Sequence, residues 1–168
     1  GSLSATWFDK SYSDLINYDF SAFPGTGVHV DRAATRGLEL SAQLAWTDFV
    51  KARVAYTYLE AENSTQHTRL LRRPRHGLTA DFWHQFGGGF SLGVGASFVA
   101  DRLDVDAATF ATIKAEDYTV VRAYAEYKVT PSLAIKARIE NLLDEKYEEV
   151  NGYPALGIDA FAGIEWKF

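Results

Sequence analysis

Cysteine is absent from the 168 residues of the chain. Its absence excludes a disulfide scaffold, a thiolate metal site and a cysteine nucleophile. No run of apolar residues approaches the ~18 that a transmembrane helix needs. An excess of positive charge is also missing, because 17 basic residues stand against 22 acidic ones for a net charge of −5. The charge balance therefore gives no support to a nucleic-acid partner.

The chain also lacks an initiating methionine and a signal peptide, since it starts with Gly1, Ser2 and Leu3. A Gly-Ser start is typical of a cloning scar, so we expect residues 1–2 to be non-native and the chain to be cut from a longer protein. Hydrophobic residues make up 47% and charged residues 23% of the sequence, which argues against disorder. Aromatic residues, which favour β-strands, reach 14%.

Apolar and polar residues alternate with a period of two along most of the chain, whereas helical periodicity is hard to find. For example, Leu38 and Leu40 fall on one face of a strand, while Glu39 and Ser41 fall on the other. The pattern predicts eight strands, over residues 3–15, 28–46, 50–61, 70–84, 89–101, 117–129, 133–146 and 158–168.

The connections between these strands alternate in length. Short ones are expected near residues 47–49, 86–88 and 130–132, and long ones near 16–27, 62–69, 102–116 and 147–157. Short turns at one end and long loops at the other are typical of a transmembrane β-barrel, whose apolar face contacts lipid. The sequence thus predicts a single all-β, antiparallel barrel segment over residues 1–168, with both termini at the short-turn end. A soluble β-sandwich shows the same alternation with its apolar face inside, so alternation alone leaves that alternative open.

Face parity predicts the direction of individual side chains in such a barrel. The side chains expected to point outward to lipid or detergent are Leu40, Val54, Val94, Phe98, Ile135 and Ile164, and those expected to point inward are Arg53, Arg138 and Glu140. The inward face has charges of both signs. Because an eight-stranded barrel has room inside only for side chains, these charges could fill the lumen if the chain closes on itself.

The placement of aromatic residues favours the membrane interpretation, because barrels have an aromatic girdle at each membrane interface. One predicted girdle, at the short-turn end, contains Trp7, Trp46 and Trp166, and the other, toward the long loops, contains Tyr56, Tyr58 and Tyr118. Trp83 also maps to the short-turn end, but its parity places it on the polar face.

The C-terminal third carries a recognisable motif. The segment from Asn141, Leu142 and Asp144 to Tyr147 resembles the "NLFD-x-x-Y" sequence near the end of TonB-dependent outer-membrane receptors, with Leu143 in the place of the usual Phe. Residues 35–39, 150–154 and the strand that ends at Phe168 continue the similarity. Residues 98–168 most resemble the vitamin B12 (cobalamin) receptor branch of that family.

This resemblance implies a fold and a function. Members of the family have a barrel of about 22 strands, an N-terminal plug domain and a TonB-contacting box, so the eight strands would be the last eight of the barrel, without plug or box. The family imports cobalamin or metal–siderophore complexes across the outer membrane of Gram-negative bacteria. The resemblance therefore implies a barrel fragment that does not transport alone and that reaches TonB only through parts absent from it. A self-sufficient eight-stranded barrel with a structural role and a soluble barrel that binds apolar ligands are the alternatives.

No motif points to an enzyme, to a cofactor or to a metal. The four histidines lack the spacing of a metal site, and nothing resembles a nucleophile elbow. Asp101, Asp104 and Asp106 alternate in a long loop, but the glycine and the terminal bidentate glutamate of a calcium loop are missing. We therefore predict no catalytic, cofactor-binding or metal-binding residues.

A basic cluster formed by Arg69, Arg72, Arg73 and Arg75 is the strongest charge feature. On the long-loop side it would face the cell exterior, where guanidinium groups could bind lipopolysaccharide phosphates. Alternatively, these arginines pair internally with Glu60 and Glu62 across the hairpin. Both interpretations stay open on the sequence.

The C-terminus resembles the insertion signal that the barrel assembly machinery reads in outer-membrane proteins. Gly163, Trp166 and Phe168 occupy the glycine and the two spaced hydrophobic positions, while Phe161 stands where a polar residue is usual. The alternative is that Phe168 is only a lipid-facing anchor at the interface.

Overall fold

In a computed structural model, the protein is described over residues 1–13, 15–19, 26–30 and 32–168, with only the backbone described for 15–19 and 26–30. Part of the predicted connection 16–27, and the side chain of His29, therefore lie outside the described residues. None of the described residues forms a helix long and apolar enough to cross a membrane. The strands are β1 (Ser2–Tyr12), β2 (Leu15–Asp19), β3 (Thr26–Val30), β4 (Ala33–Ala45), β5 (Val50–Asn63), β6 (Thr68–Arg69), β7 (His76–Gln85), β8 (Phe90–Ala100), β9 (Arg102–Val105), β10 (Thr112–Ala115), β11 (Tyr118–Thr130), β12 (Leu133–Glu140), β13 (Glu148–Val150), β14 (Tyr153–Pro154) and β15 (Asp159–Trp166).

Eight long strands form one antiparallel sheet in the order β1-β4-β5-β7-β8-β11-β12-β15, with β6 attached to β5. Each long strand pairs with the next long strand along the chain, which confirms the predicted antiparallel all-β architecture. Ser2 pairs with Gln43 and Trp166 pairs with Leu133, so both termini lie at the short-turn end, as predicted. β1 and β15 stand at the two ends of the order, and among the described residues no ladder joins them.

The long connections contain short hairpins of their own. β2 pairs with β3, β9 with β10, and β13 with β14. The sequence predicted most of these residues as loops, because strands of two to five residues are too short to show a period, although Leu15 and residues 28–30 fell at the ends of predicted long strands. In the described chain, the long connections leave the sheet at the end opposite the short turns, because each long strand is antiparallel to the next.

Several predicted strands are shorter in the structure. The strand predicted over 28–46 starts at Ala33, because residues 28–30 pair with β2 instead, while β1 ends at Tyr12 and β15 ends at Trp166. The strand predicted over 70–84 starts at His76, because Arg72 has a φ of 56° and Pro74 removes a backbone donor from the ladder. The strand predicted over 133–146 ends at Glu140, because Asn141 and Asp144 have φ values of 50° and 54°. Residues in this left-handed region cannot continue a strand.

The two faces of the sheet follow the predicted parity. The six apolar side chains predicted to point outward are all exposed, by 37% to 76%. The buried apolar residues of the described chain are three alanines, Ala33, Ala61 and Ala100. A soluble sandwich would instead bury its large apolar side chains between two sheets. The outer face thus offers a continuous apolar surface to its surroundings, as a lipid-facing barrel wall does.

Candidate functional site

The arginine cluster meets two aspartates at the long-loop end of the sheet. Nη1 of Arg69 lies 2.9 Å from Oδ1 of Asp101, and Nη1 of Arg75 lies 3.1 Å from Oδ2 of the same carboxylate. Arg69 also donates from Nη2 to the Asp101 carbonyl oxygen at 2.7 Å. The hydrogen bond from Arg69 is the main cause that lowers the pKa of Asp101. The carboxylate therefore stays ionised between its two partners.

Asp104 is the most enclosed polar residue of this end, with no exposed surface. Its Oδ1 accepts hydrogen bonds from Arg72 Nε and from the Val105 amide, each at 2.8 Å, and its Oδ2 accepts one from the Asn151 amide at 2.8 Å. Burial raises the pKa of Asp104, but these hydrogen bonds outweigh burial, and the net shift is downward. One carboxylate thus joins the β6–β7 loop, β9 and the β13–β14 turn.

These contacts bear on the two interpretations of the arginine cluster. Arg69, Arg72 and Arg75 do pair internally, but with Asp101 and Asp104; Glu60 forms its ion pair with Arg36 instead, at 2.6 Å. Arg73 is exposed, and it donates from Nη1 to the Arg72 carbonyl at 3.3 Å. Arg73 is therefore the member of the cluster whose cationic side chain is exposed and is not held by Asp101 or Asp104. The sequence held no signal for the aspartate partners, which lie 26 to 32 positions away.

Arg102 and two tyrosines form the wall beside this cluster. The buried Arg102 guanidinium donates to the carbonyl oxygens of Glu148 and Glu149 and lies 5.8 Å from the Tyr118 ring centre. Tyr118 stacks on Tyr147 with ring centres 4.3 Å apart. Tyr118 therefore packs inside the loop cluster, while Tyr147 of the family motif covers it.

Asn141 of the family motif is buried at the end of β12, where its side chain links two backbone segments by hydrogen bonds. Its Nδ2 donates to the carbonyls of Glu145 and Leu156 at 2.9 and 3.1 Å, and its Oδ1 accepts the Glu145 amide at 2.8 Å. The same residue has a φ of 50°, which asparagine tolerates better than most residues. Asp144 pairs with Lys146 at 2.9 Å, and Leu142 donates its amide to the Val121 carbonyl. The motif thus closes the turn that follows β12.

Five of the six predicted girdle residues lie at different heights on the outer face. Tyr118 instead has the same parity on β11 as Arg122 and Tyr124, so it belongs to the polar face, and its placement in an outward girdle was wrong. Trp46 and Trp166 flank short turns and are largely exposed. Trp7 lies midway along β1, in the cross-strand row of Leu38 and Tyr58. The Tyr58 hydroxyl donates to Glu60 at 2.7 Å. Near it on β5, the Tyr56 hydroxyl lies 2.7 Å from Nδ1 of His76.

The residues of the predicted insertion signal lie on or beyond β15. Gly163 pairs with Lys136, Trp166 pairs with Leu133, and Phe168 is fully exposed past the strand end. They are accessible at one end of the sheet order, and their role in insertion stays a prediction.

The polar face carries an aromatic pair, of which the sequence predicted only the face of Trp83, by parity. Trp83 on β7 stacks on Tyr124 on β11, with ring centres 5.2 Å apart and planes 14° apart. Gly93 of the intervening β8 lies beneath both rings, because a Cβ there would overlap Tyr124 and lie 2.6 Å from a Trp83 ring carbon. The next row holds an ion pair, Arg122 Nη2 to Asp81 Oδ1 at 2.6 Å. The placement of Trp83 on the polar face is thus confirmed.

Comparisons with known proteins agree with this architecture. A family model described as "TonB dependent receptor-like, beta-barrel" matches residues 1–142. The vitamin B12 transporter BtuB of Vibrio cholerae serotype O1 is 31% identical over 167 residues, which is 98% of this chain and 27% of that protein. This chain therefore spans about a quarter of the length of that relative.

Solved structures of transporters share the fold. The copper transporter OprC superposes with a TM-score of 0.81 at 20% identity, covering 99% of this chain and 28% of that one. The FrpB iron transporter from Neisseria meningitidis, in its F5-1 apoprotein form, superposes with a TM-score of 0.78 at 15% identity, covering 99% and 29%. At these identities the likeness concerns the fold alone.

Proposed function

Because the chain belongs to the TonB-dependent receptor β-barrel family, we propose that it forms part of the barrel wall of an outer-membrane receptor that imports a scarce nutrient. Proteins of this family lie in the outer membrane of Gram-negative bacteria, and they are transporters and receptors rather than enzymes. Cobalamin is the first candidate cargo, and a metal–siderophore complex is the second. The observation that carries the choice is the 31% identity to a vitamin B12 transporter over 98% of the chain.

The structure supports a role in the wall of the barrel. Large apolar side chains cover the outer face, while ion pairs such as Asp81–Arg122 lie on the polar face. In this proposal the eight strands are the last eight of a barrel of about 22 strands, so β1 pairs with an upstream strand of the same receptor. The long hairpins then face the cell exterior, where cargo arrives.

We assign energy coupling to other parts of the receptor. Receptors of this family interact with TonB, and this chain corresponds to 27% of the length of its vitamin B12 transporter relative. The segment by itself therefore provides wall and loops but does not transport. A self-sufficient eight-stranded barrel and a soluble ligand-binding barrel remain the competing proposals.

Lipid, lipopolysaccharide and the barrel assembly machinery are the proposed partners of the segment itself. Arg73 is the arginine of the cluster most available to bind a lipopolysaccharide phosphate. Arg69, Arg72 and Arg75 already form ion pairs with aspartates. Gly163, Trp166 and Phe168 are proposed to contact the assembly machinery during insertion.

Two measurements test the proposal. The first is refolding of the chain with and without detergent micelles, followed by circular dichroism and size-exclusion chromatography. We expect folded β-structure only with detergent. A monodisperse folded protein in plain buffer would establish the soluble alternative.

The second measurement replaces the matching segment of the Vibrio cholerae transporter with this chain and follows uptake of labelled cobalamin in cells. Uptake above that of cells without the receptor supports the cobalamin assignment. Uptake of a ferric siderophore alone would move the assignment to the second cargo. A hybrid that reaches the outer membrane and moves neither cargo would overturn the importer proposal.

A further inference from the structure

Three of the long connections between the strands of the sheet lie against one another. The first joins β5 to β7 (residues 64–75), the second joins β8 to β11 (residues 101–117), and the third joins β12 to β15 (residues 141–158); together we call them the rim. Whole strands separate the three connections in sequence, so every contact between them is made only in the folded protein. These contacts decide whether the three connections can open separately.

Backbone and side chains both join the first connection to the second. The Arg72 amide donates to the Leu103 carbonyl at 2.8 Å, and the Arg75 amide donates to the Asp101 carbonyl at 3.2 Å. Arg69 and Arg75 also form ion pairs with the Asp101 carboxylate. Because backbone hydrogen bonds accompany the ion pairs, the first connection is held along the backbone of the second and not only through long side chains.

Hydrogen bonds in both directions join the third connection to the second. The Asn151 amide donates to Oδ2 of Asp104 at 2.8 Å, and the Ala107 amide donates to Oδ1 of Asn151 at 3.0 Å. The buried Arg102 guanidinium donates to two carbonyl oxygens of β13. Opening of either connection therefore breaks hydrogen bonds of the other.

An aromatic stack joins the third connection to the start of β11, which directly follows the second connection. Tyr147 lies on Tyr118 with ring centres 4.3 Å apart. Asn141 keeps the third connection closed by donating to the Leu156 carbonyl at 3.1 Å. No hydrogen bond, ion pair or ring contact between described residues joins Tyr147 to the first connection. Tyr147 can therefore affect the first connection only through other residues of the rim.

Polar groups of the rim depend on one another for hydrogen bonds away from water. The buried polar residues of the described chain are Ser91, Arg102, Asp104 and Asn141, and all except Ser91 lie in the rim. Asp104 accepts hydrogen bonds from Arg72 of the first connection and from the Asn151 amide of the third. A buried carboxylate that loses one of these donors is destabilised in its enclosed position. Departure of one connection from Asp104 therefore weakens the contact of Asp104 with the other.

We infer that the three connections of the rim open and close as one cooperative unit, separately from the sheet, so that a disturbance in any one of them loosens the other two. Proteins open locally in contiguous cooperative units of this kind. For the wall of a receptor, the consequence is that a molecule which binds to one connection stabilises all three. The coupling goes beyond the importer proposal and holds for any cargo, because it depends only on contacts within the chain.

Hydrogen exchange of the hybrid receptor, purified in detergent and read by mass spectrometry, tests the coupling with the rest of the barrel present. Tyr147→Leu removes the aromatic stack of the third connection. We expect the exchange of residues 70–75, in the first connection, to become faster by the same factor as that of residues 147–152, which is about tenfold. Tyr153→Leu is the matched control in the same connection, because the Tyr153 side chain is 73% exposed, and it should change neither segment.

Arg72→Leu tests the same coupling from the first connection. It should speed the exchange of residues 147–152 as much as that of residues 70–75, because coupling between two parts is reciprocal. Unchanged protection of β4 and β5 shows that each variant is folded. A change confined to the mutated connection, in either variant, would overturn the inference, and so would an equal loss of protection in the strands. If the hybrid does not fold, the same comparison on the chain refolded in micelles decides. Cobalamin uptake by the hybrid bears only on the proposed function.

Discussion

Arg72 donates from its Nε to the buried carboxylate of Asp104 at 2.8 Å, across 32 positions of sequence. The same carboxylate accepts the backbone amide of Asn151. Three separate long connections therefore meet at one acidic side chain. The Asp104 carboxylate is buried while the Arg72 side chain is about half exposed, so the hydrogen bonds to the carboxylate tie these connections together at the loop end of the sheet.

Replacing Asp104 with asparagine should loosen the long loops. Asp104→Asn keeps the shape of the side chain but removes the negative charge to which Arg72 and the Asn151 amide donate hydrogen bonds. We expect this change to cost about 1–3 kcal/mol of stability. Hydrogen exchange of residues 101–106 and 147–152 in micelles should become faster, with the strands unchanged. Asp48→Asn, in an exposed short turn, is the matched control. Unchanged protection in Asp104→Asn would mean that the loops are held by other contacts.

The loop end should also respond to acid. The pKa of Asp104 and that of Asp101 are lower in the folded protein than their ordinary values, so ionisation favours the folded loops. This stabilisation is complete above the unfolded value of ~3.9 and is lost as the pH falls through the folded pKa. Hydrogen-exchange protection of residues 101–106, corrected for the intrinsic exchange rate, should therefore drop as the pH falls below the unfolded value of about 4. The difference between the wild type and Asp104→Asn should shrink over the same range.

Gly93 should not tolerate a larger residue. Its Cβ would overlap the Tyr124 ring, so Gly93→Val must displace the aromatic pair, with an expected destabilisation of about 1–3 kcal/mol. Gly77→Val is the control, because a Cβ at Gly77 meets nothing within 4 Å. Urea unfolding in micelles compares the two variants. Equal midpoints would show that the rings move aside at no cost.

Asn141 should stabilise the turn after β12 through its side-chain hydrogen bonds. Asn141→Gly retains the freedom to adopt a φ of 50° but removes the bonds to Glu145 and Leu156, so we expect a loss of about 1–3 kcal/mol. Urea unfolding and proteolysis of residues 141–157 measure it. Leu143→Gly, at an exposed position of the same turn, serves as the comparison, and a loss of equal size there would assign the effect to glycine flexibility.

Phe168→Ala separates the two roles of the C-terminus. As an interface anchor, Phe168 contributes about 1.5–3 kcal/mol through burial in lipid, and its loss lowers the refolding yield in detergent. As part of an insertion signal, its loss lowers the cellular insertion yield more than the detergent yield, which is the result we expect. Phe110→Ala, at an exposed residue of the long-loop end, is the control. Equal losses in both assays would leave Phe168 as an anchor only.

Local sequence determined much of the architecture. Period-two alternation places Leu40 and Val94 on one face of the sheet and Arg53 on the other, because each residue along a strand turns its side chain to the opposite side. The short turns and long connections, with the even number of strands, place both termini at one end. The motif around Asn141 indicated the family, since it depends on residues adjacent in sequence.

The tertiary structure decided which side chains meet. Arg69 and Arg75 pair with Asp101 and not with the glutamates across their own hairpin, although Glu62 is the register partner of Arg69 on β5. Trp83 and Tyr124 come together only because the register sets both opposite Gly93. Such contacts join residues 26 to 41 positions apart, and a cross-strand register is a property of the assembled sheet, not of any single strand.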